Sequence, residues 1–179
     1  PVGSFAIIMA KERGARQVIA IDSSSRLEFA KKMGADDVVD LTALKDQKER
    51  VKKIRQIAGG YGPDVVMDCT GNPNALPEAV EIVRDGGRIL EIGAYADYGP
   101  IPLNPYFLTS RQISIIGSYS KIPRHEYEFV NFMVKKWEKY PFQGMVTHRF
   151  PLKEINKAVD VVKNRQGMKV IVTPAGSIS

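Results

Sequence analysis

A glycine near the start of the chain and an acidic residue nineteen positions later have the spacing of a dinucleotide-binding unit. Gly3 opens a predicted helix, and Asp22 ends a predicted strand, VIAID. In such units the glycine lets helix and strand pack closely, and the acid accepts hydrogen bonds from the adenosine ribose hydroxyls. Because a carboxylate repels a 2′-phosphate, Asp22 favours NAD over NADP. The alternative is that Asp22 only caps the next helix, a role that Ser23–Ser25 could also fill.

The elements that must position these residues alternate between strand and helix. Weak polar alternation within the strands is typical of a parallel sheet covered by helices on both faces. The pattern predicts an α/β fold, a doubly wound parallel sheet of the Rossmann type. Residues 94–109 carry three prolines and are predicted to be a long irregular connection. The predicted strands are Val18–Asp22, Asp37–Leu41, Asp64–Cys69, Arg88–Gly93 and Ile113–Tyr119.

One strand of the dinucleotide-binding pattern has no counterpart in the sequence. The fingerprint needs a strand and two further glycines before Pro1, and in the 3-2-1-4-5-6 order that strand lies in the middle of the sheet. We therefore expect a longer protein, with its first strand outside these residues. Residues 1–145 are predicted to be the truncated dinucleotide-binding domain. Residues 146–179 form a separate segment, whose MKVIVTP run is predicted to be a strand of another sheet.

Composition excludes several classes of protein. With 179 residues, 44% of them hydrophobic and 26% charged, the chain has the make-up of one globular domain. Cations and anions alternate despite a net charge of +6, so no basic stripe predicts nucleic-acid binding. Since no apolar run approaches the roughly 18 residues of a membrane span, we expect no membrane partner. The one cysteine excludes a disulfide framework and fits a cytoplasmic protein.

Residues that could carry chemistry or bind a metal are few and scattered. Cys69, His125 and His148 are far apart in the sequence and lack the spacing of metal ligands. Cys69 ends an apolar strand and is interpreted as a small core residue. We predict no catalytic residue and no metal ligand within this chain.

Segments spread in order over nearly the whole chain carry a family resemblance. They are the PVG of a G-x-G-P-V-G turn, AKERGARQVIAID, RLEFAKKMGADDVVD, DVVMDCTGNP, GGRILEIGAY, LNPYFLTSRQISIIGSY, THRFPLKEINKAVD and KVIVTP. With these segments the sequence resembles the coenzyme-binding half of the medium-chain dehydrogenase/reductase family. The likeness is to its zinc-dependent alcohol, polyol and threonine dehydrogenase branch.

The resemblance implies a cofactor-binding role for residues at the front of the chain. Pro1, Val2 and Gly3 would place a helix N-terminus at the pyrophosphate of NAD. Asp22 would hold the adenosine ribose, and Arg26 would lie beside the adenosine. The alternative for Arg26 is a solvated side chain on the first turn of a helix.

Residues that follow three later strands would line the rest of the cofactor. The first two would meet its adenine side, and the others its nicotinamide ribose and carboxamide. All lie at the carboxyl ends of strands, where open α/β sheets bind ligands, although each glycine is also compatible with a simple turn. These residues are Thr70, Gly71, Ile92, Gly93, Ala94, Ile116, Gly117 and Ser118.

The resemblance further implies the activity and the partners of the parent protein. An NAD-linked dehydrogenase would oxidise an alcohol or polyol with a zinc ion held by the absent catalytic domain, so these residues alone should be inactive. Residues 146–179 would return to that domain. The strand at 113–119, sixth in the family's order, would pair with its copy in a homo-oligomer, or else be an edge buried by helices.

Three other functions remain open at the level of sequence. A zinc-free NAD(P)H-dependent quinone or enone reductase of the same superfamily usually takes NADPH, which Asp22 disfavours. A Rossmann-type methyltransferase also places an acid after a second strand, but it usually ends in a reversed hairpin. Here ISIIGSY is followed by a long predicted helix. A third possibility is a non-catalytic nucleotide-sensing module.

Overall fold

The computed structural model of the protein describes residues 1–94, 96–120 and 122–174. The chain forms two compact units. The first unit is Val2–Glu126, and the second comprises Pro1 and the residues from Tyr127 onwards.

Five parallel strands and five helices build the first unit. The strands are β1 (Ile19–Asp22), β2 (Asp37–Asp40), β3 (Val65–Asp68), β4 (Arg88–Glu91) and β5 (Ser114–Gly117). The helices are α1 (Val2–Glu12), α2 (Ser24–Lys32), α3 (Gln47–Ile57), α4 (Ala75–Ile82) and α5 (Pro105–Ser110). This strand–helix alternation confirms the predicted α/β fold class.

The strands of the first unit belong to two sheets. Strand β1 pairs with β2, and a second sheet has the order β3-β4-β5. All of these pairings are parallel. In the 3-2-1-4-5-6 order the position between β1 and β3 belongs to the central strand, which the sequence pattern also lacks. Among the described residues, the sheet is therefore interrupted where the missing strand was expected.

Helix α1 packs against residues of both sheets. Ile7 packs on the small buried cluster of Ala20, Ala30 and Ala35, which joins β1 to α2 and the turn after it. At the start of the same helix, a Cβ atom placed on Gly3 would lie 3.9 Å from the Cβ of Cys69, just after β3. The first turn of α1 thus lies at van der Waals distance from this strand end.

The other face is covered by α3 and α4, which are joined by a buried ion pair. Ile54 of α3 and Ile82 of α4 share a buried cluster with Val39 of β2. The Arg50 guanidinium grips the Glu78 carboxylate with two hydrogen bonds, Nε to Oε1 at 2.7 Å and Nη2 to Oε2 at 2.6 Å. This paired geometry satisfies charges that would be costly to bury alone.

The prediction of an irregular connection over residues 94–109 is wrong in its last third. Helix α5 begins at Pro105, and the side chain of Asn104 caps it by accepting a hydrogen bond from the Tyr106 amide at 3.0 Å. Proline at the first helical position and asparagine at the N-cap are start signals that the three prolines obscured. Tyr95 lies outside the described residues.

The second unit contains a separate two-stranded sheet. Strands β6 (Val146–Pro151) and β7 (Lys169–Thr173) are parallel and are connected through α7 (Ile155–Lys163). The prediction that the KVIVTP run joins another sheet is confirmed, whereas the sequence reasoning did not identify β6. Helix α6 (Pro123–Lys136) contains the boundary between the two units. Short 3₁₀ turns precede β6 and α7.

Apolar side chains remain exposed on the helices of the second unit. On α7 and the turn before it, Leu152, Val159 and Val162 are at least 42% exposed. Val134 and Trp137, on α6 and just after it, are also largely exposed. Within residues 1–94, 96–120 and 122–174, no helix has the length and apolar character to cross a membrane.

Candidate nucleotide-binding site

The loops after β3 and β4 meet at the carboxyl edge of the second sheet. The amides of Ile92 and Gly93 donate hydrogen bonds to the Asp68 carbonyl oxygen at 2.9 and 3.0 Å. On the next strand, the Ser118 amide donates to the Glu91 carbonyl at 2.9 Å. The hydrogen bonds between neighbouring strands thus continue past the strand ends. They extend into the loops that contain the predicted cofactor-facing residues.

Gly93 is the point of closest approach between these two loops. A Cβ atom at this position would lie 2.6 Å from the Thr70 amide nitrogen and still closer to the amide nitrogen of Gly71. Real Cβ atoms do not approach backbone so closely, so any side chain would force the loops apart. The structure therefore brings Thr70, Gly71 and Gly93 together, as a shared site requires.

The Asp68 carboxylate holds the loop after β3. Its Oδ1 accepts hydrogen bonds from the Thr70 amide and the Thr70 hydroxyl, each at 2.8 Å. The Thr70 hydroxyl oxygen in turn accepts one from the Asn72 amide at 3.0 Å. Asp68 is 6% exposed, so this anchor is buried beneath the loop.

The Glu91 carboxylate holds the loop after β4. Its Oε1 accepts a hydrogen bond from the Ala94 amide at 2.9 Å. The β3–β4 register places Glu91 opposite Asp68, on the same face of the sheet. Burial and the nearby negative charge of Asp68 raise the pKa of Glu91. Sequence reasoning did not single out this acid pair, although an acid ends each strand two or three residues before a glycine.

Asp22 lies at the carboxyl end of β1, with 40% of its side chain exposed. Its Oδ1 accepts a hydrogen bond from the Ser23 amide at 2.7 Å and contacts the Arg26 guanidinium at 3.4 Å. Ser23, not Asp22, occupies the N-cap position of α2. The Ser23 amide and the Arg26 guanidinium thus orient the Asp22 carboxylate. Asp22 is also the register partner of Asp40 on β2.

The first turn of α1 lies beside the end of β3. Val2 is 51% exposed at the start of this helix, and Gly3 approaches Cys69 as described. Burial, reinforced by the Asp68 and Glu91 charges, raises the pKa of the Cys69 thiol to about 11. This thiol therefore stays protonated at neutral pH, which fits a packing residue.

The remaining predicted residues are placed individually. Pro1 precedes α1 and is exposed. Ile116 and Gly117 are in β5, with Ile116 48% exposed, and Ser118 follows them. Asp22 lies on the first sheet, and the loops after β3 and β4 belong to the second. Within the described ranges, no group of three or more His, Cys, Asp or Glu residues could hold a metal ion.

Comparison with known proteins places the chain in a family. A family model described as zinc-binding dehydrogenase matches residues 1–135. The chain belongs to the zinc-binding dehydrogenase family. The resemblance to the zinc-dependent branch of the medium-chain dehydrogenases, predicted from the sequence segments, is confirmed. The comparisons favour neither a methyltransferase nor a zinc-free reductase.

Individual relatives are similar over nearly the whole chain. The 5-exo-hydroxycamphor dehydrogenase of Pseudomonas putida is 31% identical over 96% of this chain and 48% of its own length. The sorbitol dehydrogenase of Halalkalibacterium halodurans is 31% identical over 97% of this chain and 49% of its own. The crystal structure of an alcohol dehydrogenase from Thermotoga maritima superposes with a TM-score of 0.87 at 32% identity, covering 98% of this chain and 48% of that one. The chain thus spans about half the length of the relatives that it matches.

Proposed function

We propose that this chain is the coenzyme-binding part of an NAD-linked, zinc-dependent dehydrogenase that oxidises an alcohol or polyol. The observation that carries the proposal is the Asp22 carboxylate. It is exposed and oriented at the carboxyl end of the strand that follows α1. This is the position from which an acid binds the adenosine ribose in dinucleotide-binding folds. Membership of the zinc-binding dehydrogenase family supports the same function.

The residues of the site fit NAD. Val2 and Gly3 supply amides of a helix N-terminus for the pyrophosphate. Asp22 accepts hydrogen bonds from the ribose hydroxyls, with Arg26 beside the adenosine. Gly93 lets the two loops pack against each other at the sheet edge.

The remaining cofactor contacts are proposed along the second sheet edge. Thr70 and Gly71 face the adenine side of the cofactor. Residues after β4 and at the end of β5 face the nicotinamide half; they are Ile92, Gly93, Ala94, Ile116, Gly117 and Ser118. When bound, NAD supplies the acceptor for the hydride.

The charge at the end of the first sheet supports NAD over NADP. Asp22 and Asp40 are register partners on neighbouring strands, so two carboxylates flank this edge. The Arg26 guanidinium offsets part of that charge, but it is paired with Asp22. A 2′-phosphate here would meet carboxylates at short range, which is unfavourable.

Zinc does not fit the residues described here, because they offer no cluster of metal ligands. We propose that the zinc ligands lie in a catalytic domain outside this chain. We also propose that residues 1–145 form the cofactor-binding domain. Residues 146–179 would then lead back to the catalytic domain and pack against it. The exposed apolar stripe of α7 supports that return.

Partners and location complete the proposal. Strand β5 forms one edge of its sheet and carries the exposed Ile116, which supports pairing with a second copy of the chain. We place the protein in the cytoplasm, because its one cysteine is unpaired.

The test of this function is alcohol-dependent reduction of NAD by the full-length protein, followed by nicotinamide absorbance, together with its zinc content. A panel of primary, secondary and polyhydric alcohols should contain at least one substrate that reduces NAD much faster than NADP. Loss of this activity on chelation, with recovery on zinc addition, is expected. Tight NAD binding with no zinc and no oxidation across the panel would contradict the proposal.

A further inference from the structure

Two acidic side chains at the proposed cofactor site are accounted for neither by the fold nor by the cofactor. Asp68 and Glu91 end neighbouring parallel strands and face each other in register. An acid pair within a sheet is unfavourable when both members are charged, because like charges at this distance repel. Such a pair therefore needs a compensating arrangement.

Each acid anchors one of the two loops that meet at Gly93. Asp68 holds the Thr70 amide and hydroxyl at 2.8 Å, and Glu91 holds the Ala94 amide at 2.9 Å. Each loop is thus held by the acid that ends its own strand, and the β3–β4 register places the two acids side by side.

We infer that Asp68 and Glu91 are a positioning pair, which holds the two loops at the spacing that NAD requires. The inference rests on the proposed function. Neither acid is assigned a contact with the cofactor. The pair acts through Thr70 and Ala94, whose amides it fixes, and through the close packing at Gly93.

The pair has a defined dependence on pH. Asp68 is the charged group that acts on Glu91, Cys69 is the adjoining titratable group, and the β5 register neighbour is Gly117. Because the pKa of Glu91 is raised in the folded protein, its contribution to stability is full at low pH and is lost as pH rises through that pKa. Ionised Glu91 then repels Asp68, and the loops separate.

Two substitutions of Glu91 distinguish the hydrogen bond from the charge. In Glu91→Gln the side-chain oxygen can still accept from the Ala94 amide, but the negative charge beside Asp68 is removed. In Glu91→Leu that hydrogen bond is lost, leaving the Ala94 amide without its acceptor. Glu81→Gln is the matched control, because Glu81 is exposed on α4 and away from the loops.

The experiment is NADH titration of the full-length protein and these variants across the acid-to-neutral range, with hydrogen exchange of the Thr70 and Ala94 amides. Glu91→Leu should bind NADH about tenfold more weakly, the usual cost of one orphaned hydrogen bond, and exchange Ala94 faster. Glu91→Gln should bind at least as tightly as the unsubstituted protein and remove the weakening with rising pH. Glu81→Gln should keep the original profile.

Three results would overturn parts of this account separately. Equal NADH affinity and unchanged Ala94 exchange in Glu91→Leu would rule out the positioning pair. Equal damage from Glu91→Gln and Glu91→Leu would show that the negative charge, not the hydrogen bond, matters. An unsubstituted protein that binds no NADH would refute the proposed function itself. If Glu91→Leu fails to fold, the pH profile of Glu91→Gln alone decides between the first two.

Discussion

At the scale of single residues, the Asp22 carboxylate is the group on which cofactor choice depends. Replacing Asp22 by Asn keeps its size but removes the charge that favours ribose hydroxyls and repels a 2′-phosphate. We expect Asp22→Asn to lower NADH affinity by about tenfold to a hundredfold. The same change should reduce the preference for NADH over NADPH. Equilibrium titration of the full-length protein with both cofactors measures this change.

The control for this substitution is Glu28→Gln on the same helix. Glu28 pairs with Lys31 on the exposed side of α2, and its side chain is 76% exposed. Loss of one carboxylate charge there should leave both affinities unchanged. If Glu28→Gln and Asp22→Asn weaken NADH binding equally, the effect is one of general charge, and Asp22 has no ribose role.

Cys69 provides a second prediction at this scale. Because its pKa is about 11, only about 10⁻³ of the thiol is ionised at pH 8, against roughly a quarter of an unperturbed thiol. Iodoacetamide should therefore alkylate Cys69 more than about a hundredfold more slowly than a small thiol. The rate should rise steadily with pH. Rapid alkylation with a plateau near pH 8 would contradict the burial and charge that the structure gives this thiol.

At the scale of elements, the loops after β3 and β4 depend on one residue without a side chain. Gly93→Ala would place a methyl group 2.6 Å from the Thr70 amide nitrogen. We expect a loss of about 1–3 kcal/mol in unfolding free energy and weaker NADH binding, because the loops must separate. Thermal unfolding and NADH titration measure the two effects.

The neighbouring strand offers a matched control for stability. A Cβ atom on Gly117 would have no heavy atom within 4 Å, so Gly117→Ala should leave the free energy of unfolding unchanged. Equal destabilisation by both substitutions would contradict a specific role for the close approach at Gly93, because the Gly117→Ala methyl group would meet no heavy atom within 4 Å.

The ion pair between α3 and α4 supports the sheet from one face. Removing the Glu78 carboxylate would leave the Arg50 guanidinium charge buried and unpaired, since the two side chains are 10% and 15% exposed. Glu78→Ala should cost about 3 kcal/mol of unfolding free energy. Asp64→Ala, which breaks the exposed pair with Arg84, should cost under about 1 kcal/mol. Denaturant unfolding measures the loss of unfolding free energy for both variants. Equal losses would mean that the buried pair stabilises the fold no more than the exposed pair does.

The sequence predicted the strands well because their patterns are local. Each of the five strands of the first unit falls within its predicted range, since runs of valine and isoleucine bounded by turns are visible in the sequence. Helix α5 was missed because three prolines masked a capping asparagine. Asp68 and Glu91 were missed because their pairing depends on the register between β3 and β4. The sequence pattern of each strand does not reveal that register.

At the scale of the whole molecule, the order of the strands explains why the chain has two sheets in its first unit. The β1-β2 sheet and the β3-β4-β5 sheet match the two sides of a 3-2-1-4-5-6 sheet. Helix α1 packs on residues of both sheets. The chain also spans about half of its relatives.

The central claim is that these residues bind NAD through the carboxyl edge of the sheets. Equilibrium titration of the full-length protein with NADH, NADPH and S-adenosylmethionine tests it most directly. The account predicts saturable NADH binding, at least tenfold weaker NADPH binding because of the Asp22 carboxylate, and no S-adenosylmethionine binding. Binding of S-adenosylmethionine in place of NADH, or a preference for NADPH, would contradict it.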